Sequence, residues 1–299
     1  MRRRDFLGFF ASAVAGVWLV FPPVRRLTSP GTGSGTSGPG IIPSPGPVAG
    51  RDPSVDRFLG ENLAYDISFL WFKNAAQGTL RFLKDPATGS YKAVLEAATE
   101  GFVGFVSGYR RHRYTSTMSF AEGERKLRSE KFEIDIQVAS SNYYSVHTMN
   151  YKTRDLLFQE YENSEKTQEE KTPIPAGVEF EDILSGFYNF RYGVYGPPIK
   201  GKAYTLRMLP RRGRSRFDVY LASTAEEREE KARAALTVNA AFLAYVVIPR
   251  EIFQTKTGKI RLWLGEDLIP LVGTVEDAIG LGDVQGTLKS RNPPPARPS

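Results

Sequence analysis

The chain of 299 residues has no cysteine, two histidines and four methionines. The absence of cysteine excludes disulfides, thiolate zinc sites, iron–sulfur clusters, cysteine nucleophiles and acylation as a cysteine-linked lipoprotein. The two histidines, His112 and His147, lie far apart in sequence. A metal site built on them would need carboxylates to complete it, so both read as structural or surface residues and no metal is expected. The chain also lacks a strand–Gly-x-Ser-x-Gly–helix elbow, a phosphate-binding P-loop and a dinucleotide fingerprint set between a strand and a helix, which argues against serine hydrolysis and nucleotide use. No residues stand out as holders of a cofactor.

The formal charge is +7. Arg2, Arg3, Arg4, Arg25 and Arg26 against Asp5 account for +4 of it, leaving +3 for the rest. The basic balance is thus partly an address, and nucleic acid is not an expected partner. After the arginines an apolar run extends from Phe6 to Val24. Arg3 and Arg4 followed by Phe6 and Leu7 have the form of a twin-arginine export motif, with the twin-arginine translocase as the implied partner. An ordinary secretory signal with a basic flank is the plainer alternative. The run is close to the roughly 20 residues that span a bilayer, so an uncleaved anchor in the inner membrane is the second reading of residues 1–26. Either way the following domain is expected in the periplasm, free or tethered. Residues 27–53 are rich in Pro, Gly and Ser without apolar periodicity and read as a linker. Residues 291–299 read as a similar tail, leaving 54–290 as a single folded domain.

Aromatics make up 12% of the chain, which favours β structure. From Leu63 to Phe72, from Gln77 to Leu83 and along Tyr91, Ala93, Leu95 and Ala97, apolar residues alternate as in half-buried strands. Lys73-Asn74-Ala75 and Asp85–Gly89 read as turns between them. The Gly101–Gly108 stretch reads as a bend, a mobile apolar loop or a connector. Further strands are expected at His112–Phe120, Lys131–Val138, Tyr143–Tyr151 and Asp155–Tyr161, then a charged loop from Asn163 to Gly177. One segment breaks the pattern. In Glu179–Tyr192, Phe180, Ile183, Leu184, Phe187 and Phe190 recur at helical spacing, with acidic residues first, Arg191 last and Gly193 as the stop. Strand patterns resume around Tyr204–Met208, Phe217–Leu221, Phe242–Ile248, Lys259–Leu264, Leu268–Val275 and Gly286–Ser290. Between them, Ala225–Ala235 has helical composition and i, i+4 pairs, Glu227–Lys231 and Glu229–Arg233, but no apolar stripe. The expected fold is mainly β: one large curved antiparallel sheet of about ten to twelve strands, half-barrel-like, with the Glu179–Tyr192 helix in its concave face.

Four segments then carry a family resemblance: Gly60–Ser68 with the Gly78 strand, Asp182–Arg191, Ile260–Asp267, and Pro270 with Gly286–Leu288. In this order they resemble DUF3108, a bacterial family of exported domains of unknown function. The resemblance implies an envelope protein with a curved antiparallel sheet, similar in outline to periplasmic lipoprotein carriers. It transfers no catalytic residues.

Phe69, Trp71, Phe187, Tyr188, Phe190, Arg191 and Trp263 are the candidates to line a concave groove for a lipid-like or hydrophobic ligand. A solid core is the alternative. Arg110, Arg111 and Arg113, and Arg211, Arg212 and Arg214, are either solvated charge or contacts to anionic headgroups. Glu181-Asp182 and Glu266-Asp267 are adjacent acid pairs, but neighbours in sequence diverge in direction, so adjacency does not make a proton-sharing pair. The functional expectation is a noncatalytic envelope protein that binds a hydrophobic ligand or an envelope partner. A carboxylate enzyme acting on envelope glycan, and a purely structural module, are the alternatives.

Overall fold

A computed structural model describes residues 54–69, 72–121, 123, 125–211, 214–234, 238–247, 258–278 and 282–292. The N-terminal 53 residues, with the export motif Arg3, Arg4, Phe6 and Leu7 and the linker, lie outside them, as do Trp71 and Arg212. Among the described residues no helix is long and apolar enough to cross a membrane.

Fourteen strands form one antiparallel sheet. They are β1 (Asn62–Phe69), β2 (Phe72–Lys84), β3 (Tyr91–Thr99), β4 (Arg111–Ala121), β5 (Lys126–Val138), β6 (Ser141–Asn150), β7 (Asp155–Glu162), β8 (Glu165–Pro173), β9 (Ala203–Arg211), β10 (Arg214–Leu221), β11 (Phe242–Val247), β12 (Lys259–Leu264), β13 (Pro270–Ala278) and β14 (Gly282–Asn292). Their order is β8-β7-β6-β5-β4-β3-β2-β1-β14-β13-β12-β11-β10-β9, two meanders joined where the first and last strands pair. Among the described residues three α-helices, α1 (Gly101–Ser107), α2 (Ile183–Tyr192) and α3 (Thr224–Ala234), and a 3-10 turn at Val55–Phe58 complete the fold.

The sheet curls around α2, whose neighbours include β3, β4 and β5 on one wing and β9 on the other. The segment ahead of α2 crosses from wing to wing. Ile174 and Phe180 pack with Met149, Leu156 and Leu209, and Glu181 bridges to β9 through Glu181 N–H to Arg207 O (2.9 Å) and Leu209 N–H to Glu181 O (2.8 Å). The result is an open, barrel-like trough with a helix inside it.

Several expectations change. The charged stretch after Asn163 contains β8, an edge strand exposed along most of its length. Its Lys and Glu side chains hide the alternation and also discourage pairing with another chain. Fourteen strands among the described residues exceed the expected ten to twelve, and β8 is one of those added. Lys73–Ala75 belongs to β2, where Asn74 takes φ of 54° without ending the strand. The glycine-rich stretch after Thr99 is a short helix, α1, closed by Gly108 at φ of 74°. Glu181 precedes α2 instead of lying in its first turn, because Asp182 is the N-cap. The stretch expected to be an exposed short helix or an edge hairpin holds the helix α3, which ends at Ala234 and lies on the convex face. It packs without an apolar stripe by burying carboxylates: Glu227 accepts from Leu243 N–H (3.0 Å) and pairs with Lys200 (2.5 Å), and Glu230 pairs with Arg261 and Arg233. Lys231 lies over the Trp263 ring instead of pairing along the helix.

Candidate functional site

Helix α2 is fixed by a polar frame that its sequence encodes. The Asp182 carboxylate accepts from Leu184 N–H (2.8 Å) and Ser185 N–H (3.0 Å), while Ser185 Oγ accepts from Asp182 N–H (2.9 Å), a reciprocal capping box. Its second oxygen accepts from Ser116 and Ser129, both at 2.6 Å, which ties the helix start to β4 and β5. Asn189 pairs with the backbone of Leu127 in both directions, 2.8 and 2.7 Å, and donates to Glu181 (2.6 Å). At the far end Arg191 forms a bidentate ion pair with Glu61 at 2.6 and 2.7 Å. Tyr188 also donates to Glu61 (3.0 Å), and Arg57 donates to the Arg191 carbonyl (2.6 Å). Arg191 further donates to the Asp267 carbonyl (3.2 Å), so three of the four segments named above meet at this pair.

That frame settles which side chains fill space and which border it. Tyr188 and Arg191 do not line a groove. Both are buried, Tyr188 among Phe58 and Phe82 and Arg191 against the Phe58 ring. The opposite side of α2, with Ile183, Gly186, Phe187 and Phe190, faces a cavity of about 450 Å³. Its other walls come from both wings: Tyr65, Ile67 and Leu95 on one, Leu206, Val246 and Leu262 on the other. Gly78, Gly186, Gly273 and Gly286 also border it; at the first three a Cβ would press on Ile67 Cδ1, Leu206 Cδ2 and Leu262 Cδ2 at 3.3, 3.2 and 3.1 Å, which marks close packing of the walls. At Gly286 a Cβ would meet nothing nearer than Ile67 Cγ1 at 3.9 Å.

Trp263 faces away from the cavity. It is buried with Leu243, Ala222 and Val272 on the convex side beneath α3, because β12 alternates and Ile260, Leu262 and Leu264 take the concave positions. Phe69 ends β1, with its side chain outside the described residues. Arg110 is half-buried, while Arg111 and Arg113 are exposed and Arg113 donates to Glu96 (2.7 Å). Arg211 and Arg214 are the last and first residues of β9 and β10, and their side chains are outside the described residues.

Polar groups along the cavity are few. Asp182 has its acceptor sites taken by four protein donors. Glu181 is buried, its carboxyl pushed up by desolvation against the opposing pull of hydrogen bonds from Tyr195 and Asn189. His147 borders the cavity and packs at a tilt against Phe158 with ring centroids 4.6 Å apart. His112, fully buried on β4, has its imidazole pushed down to about 4 by burial, with the Arg110 charge adding to the effect. Among the described residues no group of three or more His, Asp or Glu is placed to hold a metal ion. The site can therefore solvate and enclose an apolar group, and it offers one buried carboxyl at its floor. Ser116, Ser129 and Asn189, which hold the floor in place, carry no sequence signal beyond lying on regular elements.

The molecule is thus an open antiparallel half-barrel with an internal helix and an unfilled apolar interior. No family model matches the chain, and no curated protein matches it. Among solved structures it is similar to the crystal structure of a beta-barrel-like protein of domain of unknown function DUF1849 from Brucella abortus, at 8% identity and a TM-score of 0.43, over 79% of this chain and 98% of that one.

Proposed function

We propose that the protein is a noncatalytic envelope component that holds a lipid-like or other hydrophobic chain in the concave cavity. The cavity itself carries the reading. Its volume lies in the range of ligand pockets, and aliphatic and aromatic residues of α2 and both sheet wings surround it. Each methylene moved from water into such a space contributes about 0.8 kcal/mol, so a long chain would gain enough to offset its lost freedom. The basic, apolar N-terminal sequence supports export or anchoring. Purely structural use has less support, since a solid core would fill the space that Gly286 leaves open. A carboxylate enzyme has less support, since the Asp182 acceptors are already engaged at the helix cap.

Native mass spectrometry of the full chain purified from membranes tests this. Copurified lipid at one copy per chain is expected, and its loss in Gly286→Phe, which places a ring in the cavity. Protein released with no bound apolar molecule would refute the reading.

A further inference from the structure

One rim of the trough gathers features that an internal cavity does not need. Odd-numbered strands run toward this rim and even-numbered strands leave from it, with α1 lying there between β3 and β4. The α1 sequence, Gly-Phe-Val-Gly-Phe-Val-Ser, has no charge. Val103 is buried with Ile67 and Val284, which also border the cavity, so α1 sits at its mouth. Phe105 on the same helix is 71% exposed, and Tyr109 just beyond it is 62% exposed. This is not a frayed loop. Glu100 N–H donates to Ala75 O (3.0 Å), Ala139 N–H donates to Gly108 O (2.8 Å), and the Thr99 and Ser107 hydroxyls are 3.2 Å apart. The Tyr109 ring lies so close to the helix that a Cβ at Gly104 would come within 2.8 Å of it.

The same rim carries both basic clusters of the sequence. Arg111 and Arg113 are exposed at the start of β4, and Arg211 and Arg214 end β9 and begin β10 at the same edge. The two clusters belong to opposite wings of the sheet, on either side of the cavity mouth. Of the acidic groups at this rim, Glu276 and Asp283 lie on the convex side within 4 Å of Arg261, at 3.6 and 3.9 Å, and Glu96 pairs with Arg81 and Arg113, while Glu100, the N-cap of α1, is exposed beside the helix.

We propose that this rim docks on an anionic lipid surface. Phe105 and Tyr109 enter the interfacial layer, where aromatic side chains settle at headgroup depth, and Arg111 meets headgroup phosphates. The cavity mouth then faces the bilayer, giving a chain a direct path between the two. Only this last step rests on the cavity reading; docking stands without it.

Because the chain has no cysteine, single cysteines report on single positions. In the full chain, Phe105→Cys and, on the opposite rim, Leu83→Cys are each labelled with a polarity-sensitive fluorophore and mixed with phosphatidylglycerol or phosphatidylcholine vesicles. The label at 105 is expected to shift to the blue with the anionic vesicles and the label at 83 to stay unchanged. Arg111→Glu should raise the anionic lipid needed for half the shift roughly tenfold. Equal shifts at both positions, which would mean that the N-terminal segment alone holds the vesicle, would overturn the proposal. So would no shift at 105, or a shift at 105 that follows protein concentration without lipid and so assigns the patch to a second copy. Fatty-acid binding by the parent chain separates the two readings: docking kept while no fatty acid binds would sink the cavity reading and leave the rim.

Discussion

The two sides of α2 are built by opposite rules. Toward Glu61, the side of Leu184, Tyr188 and Arg191 is filled with rings and a bidentate ion pair, and Tyr188 has no exposed surface. Toward Phe217 and Leu262, the side of Gly186, Phe187 and Phe190 borders open space. The closed side supplies stability through packing and polar satisfaction. The open side gives up contacts that a solid core would keep, and the rigidity of the closed side is what allows the space to persist.

The largest expected effect breaks the closed side. Glu61→Ala or Arg191→Ala leaves the partner's charge buried and unpaired, and should cost about 3–5 kcal/mol in urea unfolding. The double variant Glu61→Leu with Arg191→Met should recover much of that loss, since two charges then leave the interior together. Single variants as stable as the parent would show that the closed side does not carry the fold.

Next is a pH dependence on the concave face. His112 titrates at about 4 when folded, and near 6.5 when unfolded, by about 6.5 for a free imidazole. Between those values the unfolded chain binds more protons. The stabilisation is therefore full above the unfolded value and is lost as pH falls through the folded one, in total about 3 kcal/mol. His112→Leu should flatten that slope in unfolding midpoints measured across the acid range.

A smaller effect compares the two sides directly. Leu184→Ala should cost about 3 kcal/mol, because it opens a void in a filled region. Phe187→Ala should cost about 1 kcal/mol, because its ring already borders space, while weakening fatty-acid binding more than Leu184→Ala does. Equal stability costs would erase the distinction. The smallest effect is at the cavity floor. Burial raises the Glu181 carboxyl, so its contribution is full below the unfolded carboxyl range and is lost as pH rises through the folded value. Glu181→Gln cannot ionise, and should gain on the parent with rising pH by less than about 1 kcal/mol.

Much of this architecture could be read from residue order. The α2 stripe and its Gly193 stop were clear because helical spacing stands out against alternating strands. The strand β8 was hidden because an edge strand exposed on both faces needs no apolar residue. Helix α1 was hidden because glycine at two of its seven positions argues for a bend. In the site, Phe187 and Phe190 could be named, but not separated from Tyr188 and Arg191. What separates them is the ion pair to Glu61, a contact between distant segments that no local pattern announces. Trp263 shares its face of β12 with Lys259 and Arg261, opposite Ile260, Leu262 and Leu264, so the alternation points it to the convex side, and its burial there depends on a cover that the strand itself does not show.

Binding of a fluorescent fatty acid to the full chain and to Gly286→Phe, with unfolding midpoints measured in parallel, tests the open interior most directly. Saturable binding of one molecule per chain, abolished in Gly286→Phe at unchanged or higher stability, is the expected result. Equal binding by both proteins, or none by either, would contradict it.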